Sequence, residues 1–174
     1  ERMAAYRFSG YWKDVGTIDS LWDANMDMLS VHSGIDPYDT EWPIYARTPT
    51  RPPHFTGPDA VVHHSLMTGG CVVDGEVENS VLFHSVTVEK GAKVRYSILM
   101  PGAVVKEGAD VEYAIVAENA VIGAGAKVGA PPEAEGADDD WGIAVVAEGI
   151  KVGDNAVASA KAMVTRNVKG GAAK

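Results

Sequence analysis

From Ser65 onward the chain repeats itself every seventeen residues: Val81, Ile98 and Ile115 stand one period apart, as do Gly91, Gly108 and Gly125, and Ala92, Ala109 and Ala126. Within each unit the apolar anchors step by six, six and five, through Leu82, Val88 and Val94, then Leu99, Val105 and Val111, then Val116, Ile122 and Val128. A step of six does not fit a helix of period 3.6, and the recurring Gly-Ala corners punctuate the chain too often for long strands. Three short sides per turn predict a parallel β-helix of triangular cross-section. Its coils would stack at about 4.8 Å, each sending Val, Ile or Leu into a central column. Each buried side chain contributes roughly 1.5–3 kcal/mol before ordering entropy is subtracted, so one coil cannot stand alone and a stack can. A shortened earlier coil is drawn through Met67, Val73 and Val77, and a later one through Val146, Val152, Ala158 and Val164. Between them "GAPPEAEGADDDWG" breaks the register and is expected to leave the stack as a loop over 130–142.

Upstream the pattern changes. After Gly16, Thr17 can cap a helix whose apolar positions Ile18, Leu21, Trp22, Met26 and Leu29 follow the i, i+3, i+4 rhythm, with Asp19 in the favourable first turn. The spacing predicts a helix over 18–29, with Trp22 and Met26 on its packing stripe. From Gly34 to Pro58, prolines at 37, 43, 49, 52, 53 and 58 remove donors and fix φ, which gives extended connecting chain. Trp42, Ile44 and Tyr45 are expected to pin that connector to a surface. The expected division is 1–33 for the first region, 34–58 for the connector, 59–168 for the β-helix with its loop 130–142, and 169–174 for a tail.

The formal charge of -9, from 24 acidic against 15 basic residues, argues against nucleic acid and anionic membrane as partners, since no basic run is long enough to neutralise a row of phosphates. No apolar stretch approaches the roughly 18 residues that span a bilayer, and the expected location is the cytoplasm. The single cysteine, Cys71, has no partner for an internal disulfide and reads as a small buried hydrophobe. Opening on Glu1, the chain is expected to be part of something longer. Gly123, Gly125 and Gly129 fall on repeat corners and read as turns, not as a dinucleotide loop. His63, His64 and His84 lack cysteine or acidic partners at ligand spacing and are expected to face solvent. The acidic run at 138–140 lacks the alternating spacing of a calcium loop. Asp14, standing before Gly16 and a helix, suits either bonding to local backbone N–H groups or holding a metal; by residue type alone both readings stay open.

"IGAGAKVG", "VEKGAKV" and "VKEGADV" resemble the hexapeptide repeats of left-handed β-helix proteins. With "GYWKDVGTIDSLWDANMDML", "EWPIYARTPTRPP" and "ENSVLF" in that order, the chain from about Phe8 to Val152 resembles the C-terminal part of the bacterial glucose-1-phosphate adenylyltransferases, also called ADP-glucose pyrophosphorylases. The resemblance implies a mainly β fold: a left-handed parallel β-helix preceded by a helix and connector, with 1–33 the end of a nucleotidyltransferase domain. It implies an allosteric enzyme that makes ADP-glucose and pyrophosphate from ATP and glucose 1-phosphate for glycogen synthesis, and that assembles through the β-helix as a homo- or hetero-tetramer. On "WKDVGT" it makes Asp14 a catalytic, Mg2+-binding carboxylate and places Trp12 on the sugar-phosphate side; no residue here is assigned to a further cofactor. The glycine-rich ATP motif, the triphosphate-binding cations and the first metal-binding aspartate belong to an N-terminal domain this sequence does not contain, so the chain by itself is expected to be inactive. One departure concerns regulation. Relatives hold sugar-phosphate activators through arginines, whereas the expelled loop offers Glu133, Glu135, Asp138, Asp139 and Asp140, which repel phosphate. Two other readings are a hexapeptide acyltransferase, in whose scheme "WKDVGT" has no place, and a non-catalytic paralogous subunit.

Overall fold

The computed structural model describes residues 3–30, 32–43, 45, 49–132 and 141–171. Among the described residues one helix, α1 (Ile18–Asp27), precedes six triangular coils. The first three coils are β1 (Phe55–Thr56), β2 (Val61–His63) and β3 (Leu66–Met67); β4 (Val72–Val73), β5 (Glu76–Glu78) and β6 (Val81–Leu82); β7 (Thr87–Val88), β8 (Lys93–Arg95) and β9 (Ile98–Leu99). The last three are β10 (Val104–Val105), β11 (Asp110–Glu112) and β12 (Ala114–Val116); β13 (Val121–Ile122), β14 (Lys127–Val128) and β15 (Ala144–Val146); β16 (Lys151–Val152), β17 (Val157–Ala158) and β18 (Met163–Val164). Every third strand joins the same sheet, so three six-stranded parallel sheets run the length of the solenoid: β1-β4-β7-β10-β13-β16, β2-β5-β8-β11-β14-β17 and β3-β6-β9-β12-β15-β18.

The pairing explains the spacing of the sequence. Thr87 pairs with Val104 and Val104 with Val121, each seventeen residues on, while Val72 pairs with Thr87, only fifteen on, which is the shortened coil. Val121 pairs with Lys151, thirty residues on, so the insertion adds thirteen residues without disturbing the register on either side. Its residues 133–140, with all five acidic side chains named above, lie outside the described residues. The anchors fill the column as expected: Val73, Val77, Leu82, Val88, Val94, Leu99, Val105, Val111, Val116 and Ile122 are fully buried, with Ala92, Ala109 and Ala126 beneath the corners. Gly91, Gly108 and Gly125 take φ of 70, 68 and 65°, the left-handed turn that bends one side into the next. Cys71 is buried, and burial pushes its thiol pKa up.

Several expectations change. The stack starts earlier than 59, because β1 lies within the 34–58 segment and pairs with β4. This end coil lacks a Gly-Ala corner and leaves Phe55 and Val61 each 58% exposed, so its sequence shows no buried period. The helix stops at Asp27: Met28 and Leu29 continue the apolar pattern, but their N–H groups turn to the carbonyls of Asn25 and Met26 in a tightened last turn. Trp42 and Tyr45, 85% and 90% exposed, do not pin the connector to any described surface, and Ile44 lies outside the described residues. No helix among the described residues is long and apolar enough to cross a membrane.

Helix α1 caps the outer face of the third sheet. Leu21, Trp22 and Met26 pack on Ile98, Ile115 and Ile143, a cluster separate from the central column. The Trp22 indole N–H donates to the Tyr96 carbonyl at 2.8 Å, which locks the helix against a coil corner. Trp22 and Trp141 both lie against Tyr113, at ring-centroid distances of 5.8 and 5.4 Å. The Trp141 indole N–H closes the neck of the insertion on the carbonyl of Ala130 at 2.8 Å.

Candidate functional site

The start of α1 is fixed by a reciprocal cap. The Ser20 N–H donates to Thr17 Oγ1 at 3.2 Å and the Thr17 N–H to Ser20 Oγ at 3.0 Å, so two of the helix's orphan donors are satisfied and the chain enters at a defined angle. Immediately before it, burial alternates: Tyr11 and Lys13 are half-buried, Trp12 and Asp14 exposed. Alternation of this kind puts i and i+2 on one side of an extended segment. Tyr11 and Lys13 turn toward the helix, where Asp27 Oδ2 accepts from the Tyr11 hydroxyl at 3.0 Å and from Lys13 Nζ at 2.7 Å. Lys13 also pairs with Asp23, one turn earlier on the same helix face.

The electrostatics follow from these contacts. The hydrogen bonds of Lys13 to Asp23 and Asp27 push its pKa up to about 12, and the Lys13 ammonium holds the Asp27 carboxyl below its ordinary value, with the Tyr11 hydroxyl adding to the effect. Burial and the Asp27 carboxylate raise the Tyr11 phenol. Lys13 and Asp27 are therefore both charged above the usual carboxylate range and below the usual lysine range, a window that contains neutral pH, while the Tyr11 phenol stays protonated there.

The opposite side of the segment carries both residues singled out in the sequence. Trp12 is 76% exposed, and Asp14 is exposed beside it. Asp14 Oδ1 accepts from the Gly16 N–H at 3.2 Å, the local turn contact that one of its two readings requires, while Oδ2 makes no hydrogen bond among the described residues. The two readings are compatible in one side chain: one oxygen steadies the turn and the other is open to a ligand. Among the described residues no group of three or more His, Cys, Asp or Glu could hold a metal ion.

His63 and His64 are exposed, as expected, while His84 is half-buried. His64 is exposed but engaged, its ring nitrogens 2.7 Å from Asn79 Oδ1 and 3.0 Å from the Leu29 carbonyl oxygen, and it clasps the end of the helical region to the solenoid. The sequence reading also passed over Tyr11, Lys13 and Asp27. The signal was present as Asp23 and Asp27 at i, i+4 on one helix face, opposite an alternating segment that carries a cation.

Residues 54–152 match the family model described as GlmU-like, C-terminal hexapeptide, which spans most of the coils seen here. The chain belongs to that hexapeptide family. Residues 1–31, which contain the Trp12–Asp14 turn and α1, match the Nucleotidyl transferase model. Among curated relatives, the glucose-1-phosphate adenylyltransferase of Clostridium perfringens (strain 13 / Type A) is 55% identical over 95 residues, covering 55% of this chain and 24% of the relative. The enzymes of the same name from Geobacillus stearothermophilus and Clostridioides difficile (strain 630) are 52% identical over 95 residues and 53% over 92, covering 55% and 53% of this chain and 24% of each relative. The hexapeptide chain thus aligns with about a quarter of the length of these relatives.

Proposed function

We propose that this chain is the C-terminal, oligomerising and regulatory part of a glucose-1-phosphate adenylyltransferase, the nucleotidyltransferase that converts ATP and glucose 1-phosphate into ADP-glucose and pyrophosphate for glycogen synthesis. The observation that carries the reading is the turn at 11–16. It lies in the nucleotidyltransferase match, runs directly into a capped helix, and presents an indole and a carboxylate together on its open side. The alternative of a hexapeptide acyltransferase gives that turn no task.

In the reaction a phosphate oxygen of glucose 1-phosphate attacks the α-phosphorus of ATP and displaces pyrophosphate, so two polyanions must be brought together and the leaving group's charge offset. Mg2+ takes one or two carboxylates and fills its remaining positions with water and phosphate oxygens, so one exposed aspartate with an open oxygen fits as its ligand from this chain. When bound there it would supply charge neutralisation at the reacting phosphates. Asp14 would hold the ion through its carboxylate, which the Gly16 N–H steadies at Oδ1. Trp12 offers a flat apolar face to the sugar next to the phosphate. The protein would work in the cytoplasm, as a homo- or hetero-tetramer joined through the solenoid; light scattering of the purified chain that finds only monomer at high concentration would remove the autonomous interface.

The test is Asp14→Asn in the full-length gene product that carries residues 1–174. Asparagine keeps the shape and its amide oxygen can still accept from Gly16, but the charge is lost. Turnover is expected to fall at least about 100-fold, equal to roughly 2.7 kcal/mol of transition-state stabilisation, with the melting temperature and assembly unchanged. Near-normal turnover across a magnesium titration would leave Asp14 with only its turn contact.

A further inference from the structure

The segment that carries Trp12 and Asp14 has no regular secondary structure and no buried residue from Tyr11 to Gly16, so the pose of its two exposed side chains has to be fixed from outside. Its two inward side chains meet at one atom, Asp27 Oδ2, at 3.0 and 2.7 Å, across sequence separations of 16 and 14 residues, and Lys13 pairs with Asp23 as well. We infer that Asp27 is a positioning residue, which holds Tyr11 and Lys13 on α1 and thereby sets where Trp12 and Asp14 stand. The inference rests on the proposed role of Asp14 and Trp12 in nucleotidyl transfer.

Two arguments favour positioning over plain stabilisation. The Lys13 and Asp27 side chains are 24% and 31% exposed, and ion pairs so close to water add little to stability. Their geometric effect is larger. Tyr11 and Lys13 bracket Trp12, and Lys13 precedes Asp14 directly, so two anchors on one carboxylate leave the intervening backbone little freedom to rotate the exposed pair away. A displacement of about 1 Å in a substrate-positioning group can cost on the order of 100-fold in rate. Helix α1 is a sound base for such a buttress, since its N-terminus is doubly capped and its other face is docked through Trp22 onto the solenoid.

The experiment is a double-mutant cycle in the full-length gene product, combined with hydrogen exchange. Asp27→Ala removes the acceptor of Tyr11 and one of the two carboxylates that hold Lys13, leaving only Asp23; Asp27→Asn keeps an acceptor for Tyr11 and removes the charge that pairs with Lys13 at this position. The expected result is a turnover at least about 10-fold lower for Asp27→Ala, an intermediate loss for Asp27→Asn, and no further loss when Asp27→Ala is added to Asp14→Asn, because both changes act through the same carboxylate. Amide exchange over residues 10–16 should quicken in Asp27→Ala while that of the coils stays constant. Turnover within twofold of the parent in either folded variant, or a loss that adds fully to that of Asp14→Asn, would overturn the positioning role. If Asp14→Asn itself proves harmless, the catalytic reading fails instead, and exchange over 10–16 still decides whether Asp27 holds the turn: unchanged exchange overturns the buttress as well. Should Asp27→Ala fail to fold, Asp27→Asn carries both readouts.

Discussion

Ser97 is fully buried, and each of its polar groups is used. Its hydroxyl donates to the Arg95 carbonyl at 2.7 Å and accepts from the Ala114 N–H at 3.2 Å, while its own N–H donates to Ser80 Oγ at 3.1 Å. Ser80 repeats the arrangement with Glu78 and Ser65, so a ladder of hydroxyls runs up one corner of the solenoid. The corner needs it because the preceding residues, Asn79 and Tyr96, take φ of 45 and 47°, and the sharp bend is joined to the next coil through side-chain oxygen. At Ala114 the ladder ends, and the next coil's Ala144 N–H bonds the Tyr113 carbonyl instead. Ser97→Ala leaves the buried Ala114 N–H without an acceptor, which costs about 1–3 kcal/mol. For a chain of this size that predicts a melting temperature lower by about 3–10 °C, readable by calorimetry, with β8 and β9 still paired by hydrogen exchange. None of this was legible beforehand. A serine among apolar anchors reads as a loop residue until the left-handed corner supplies a donor that needs it, whereas the Val and Leu anchors declared themselves by period alone. Asp14 lies between these cases: its residue type left two readings, and the structure shows the local one, with Oδ1 accepting from the Gly16 N–H.

At the scale of elements, the three outer faces of the solenoid differ in kind. The third sheet is apolar outside and covered by α1 at Ile98 and Ile115. The second carries charge in alternating sign up the stack: Glu76 opposite Lys93, Lys93 opposite Asp110, Asp110 opposite Lys127, and in the parallel row Glu78, Arg95 and Glu112. Arg95 spans Asp110 at 2.9 Å and Glu112 at 3.2 Å, and Lys93 lies 3.8 Å from Glu76. Neighbouring strands in a parallel stack hold in-register side chains close together, so the order of signs matters more than their number. Lys93→Glu sets a carboxylate between Glu76 and Asp110, turning two attractions into two repulsions at about 0.2–1 kcal/mol each. The expected result is a melting temperature lower by a few degrees in dilute buffer, largely restored near 1 M salt where the Debye length shrinks to about 3 Å, with Lys93→Gln falling in between. An equal loss at both salt concentrations would assign the effect to packing of the lysine stem. The alternation is written in the sequence seventeen residues apart, but it acquires meaning only once the coil register makes those residues neighbours. The start of α1 was legible for the opposite reason, since a cap is a local device; its docking face was legible as a stripe, and its partner was not.

For the molecule as a whole, the thirteen-residue insertion separates two cores that the same chain builds. The central column depends only on the six-six-five step, and the step resumes at Val146 as if nothing intervened. The outer cluster depends on the insertion, because Ile143, 4% exposed, and Trp141 reach α1 and Tyr113 from its base. The point of departure is also marked: Gly129 has φ of 78°, and a Cβ there would run into the Glu112 carbonyl oxygen. Replacing residues 130–143 by a single asparagine restores the five-residue step from Val128 to Val146, with a residue at the corner that tolerates the left-handed conformation, as Asn79 does with φ of 45°. Shortening the closed loop about eightfold is worth roughly 2 kcal/mol of closure entropy. Removing Ile143 from its buried place costs about 1.5–3 kcal/mol, and Trp141 adds to that loss. The two effects nearly cancel, but they act in different places. The solenoid gains the shorter connection, and the helix loses its packing partners. The variant is therefore expected to keep the β-helix circular dichroism and a single cooperative melt within about 5 °C of the parent, while amides of α1 lose protection and those of β12 and β15 retain it. Loss of cooperative melting would mean that the insertion is part of the stack's own folding unit; unchanged protection of α1 would mean that Ile98 and Ile115 alone suffice to hold the helix.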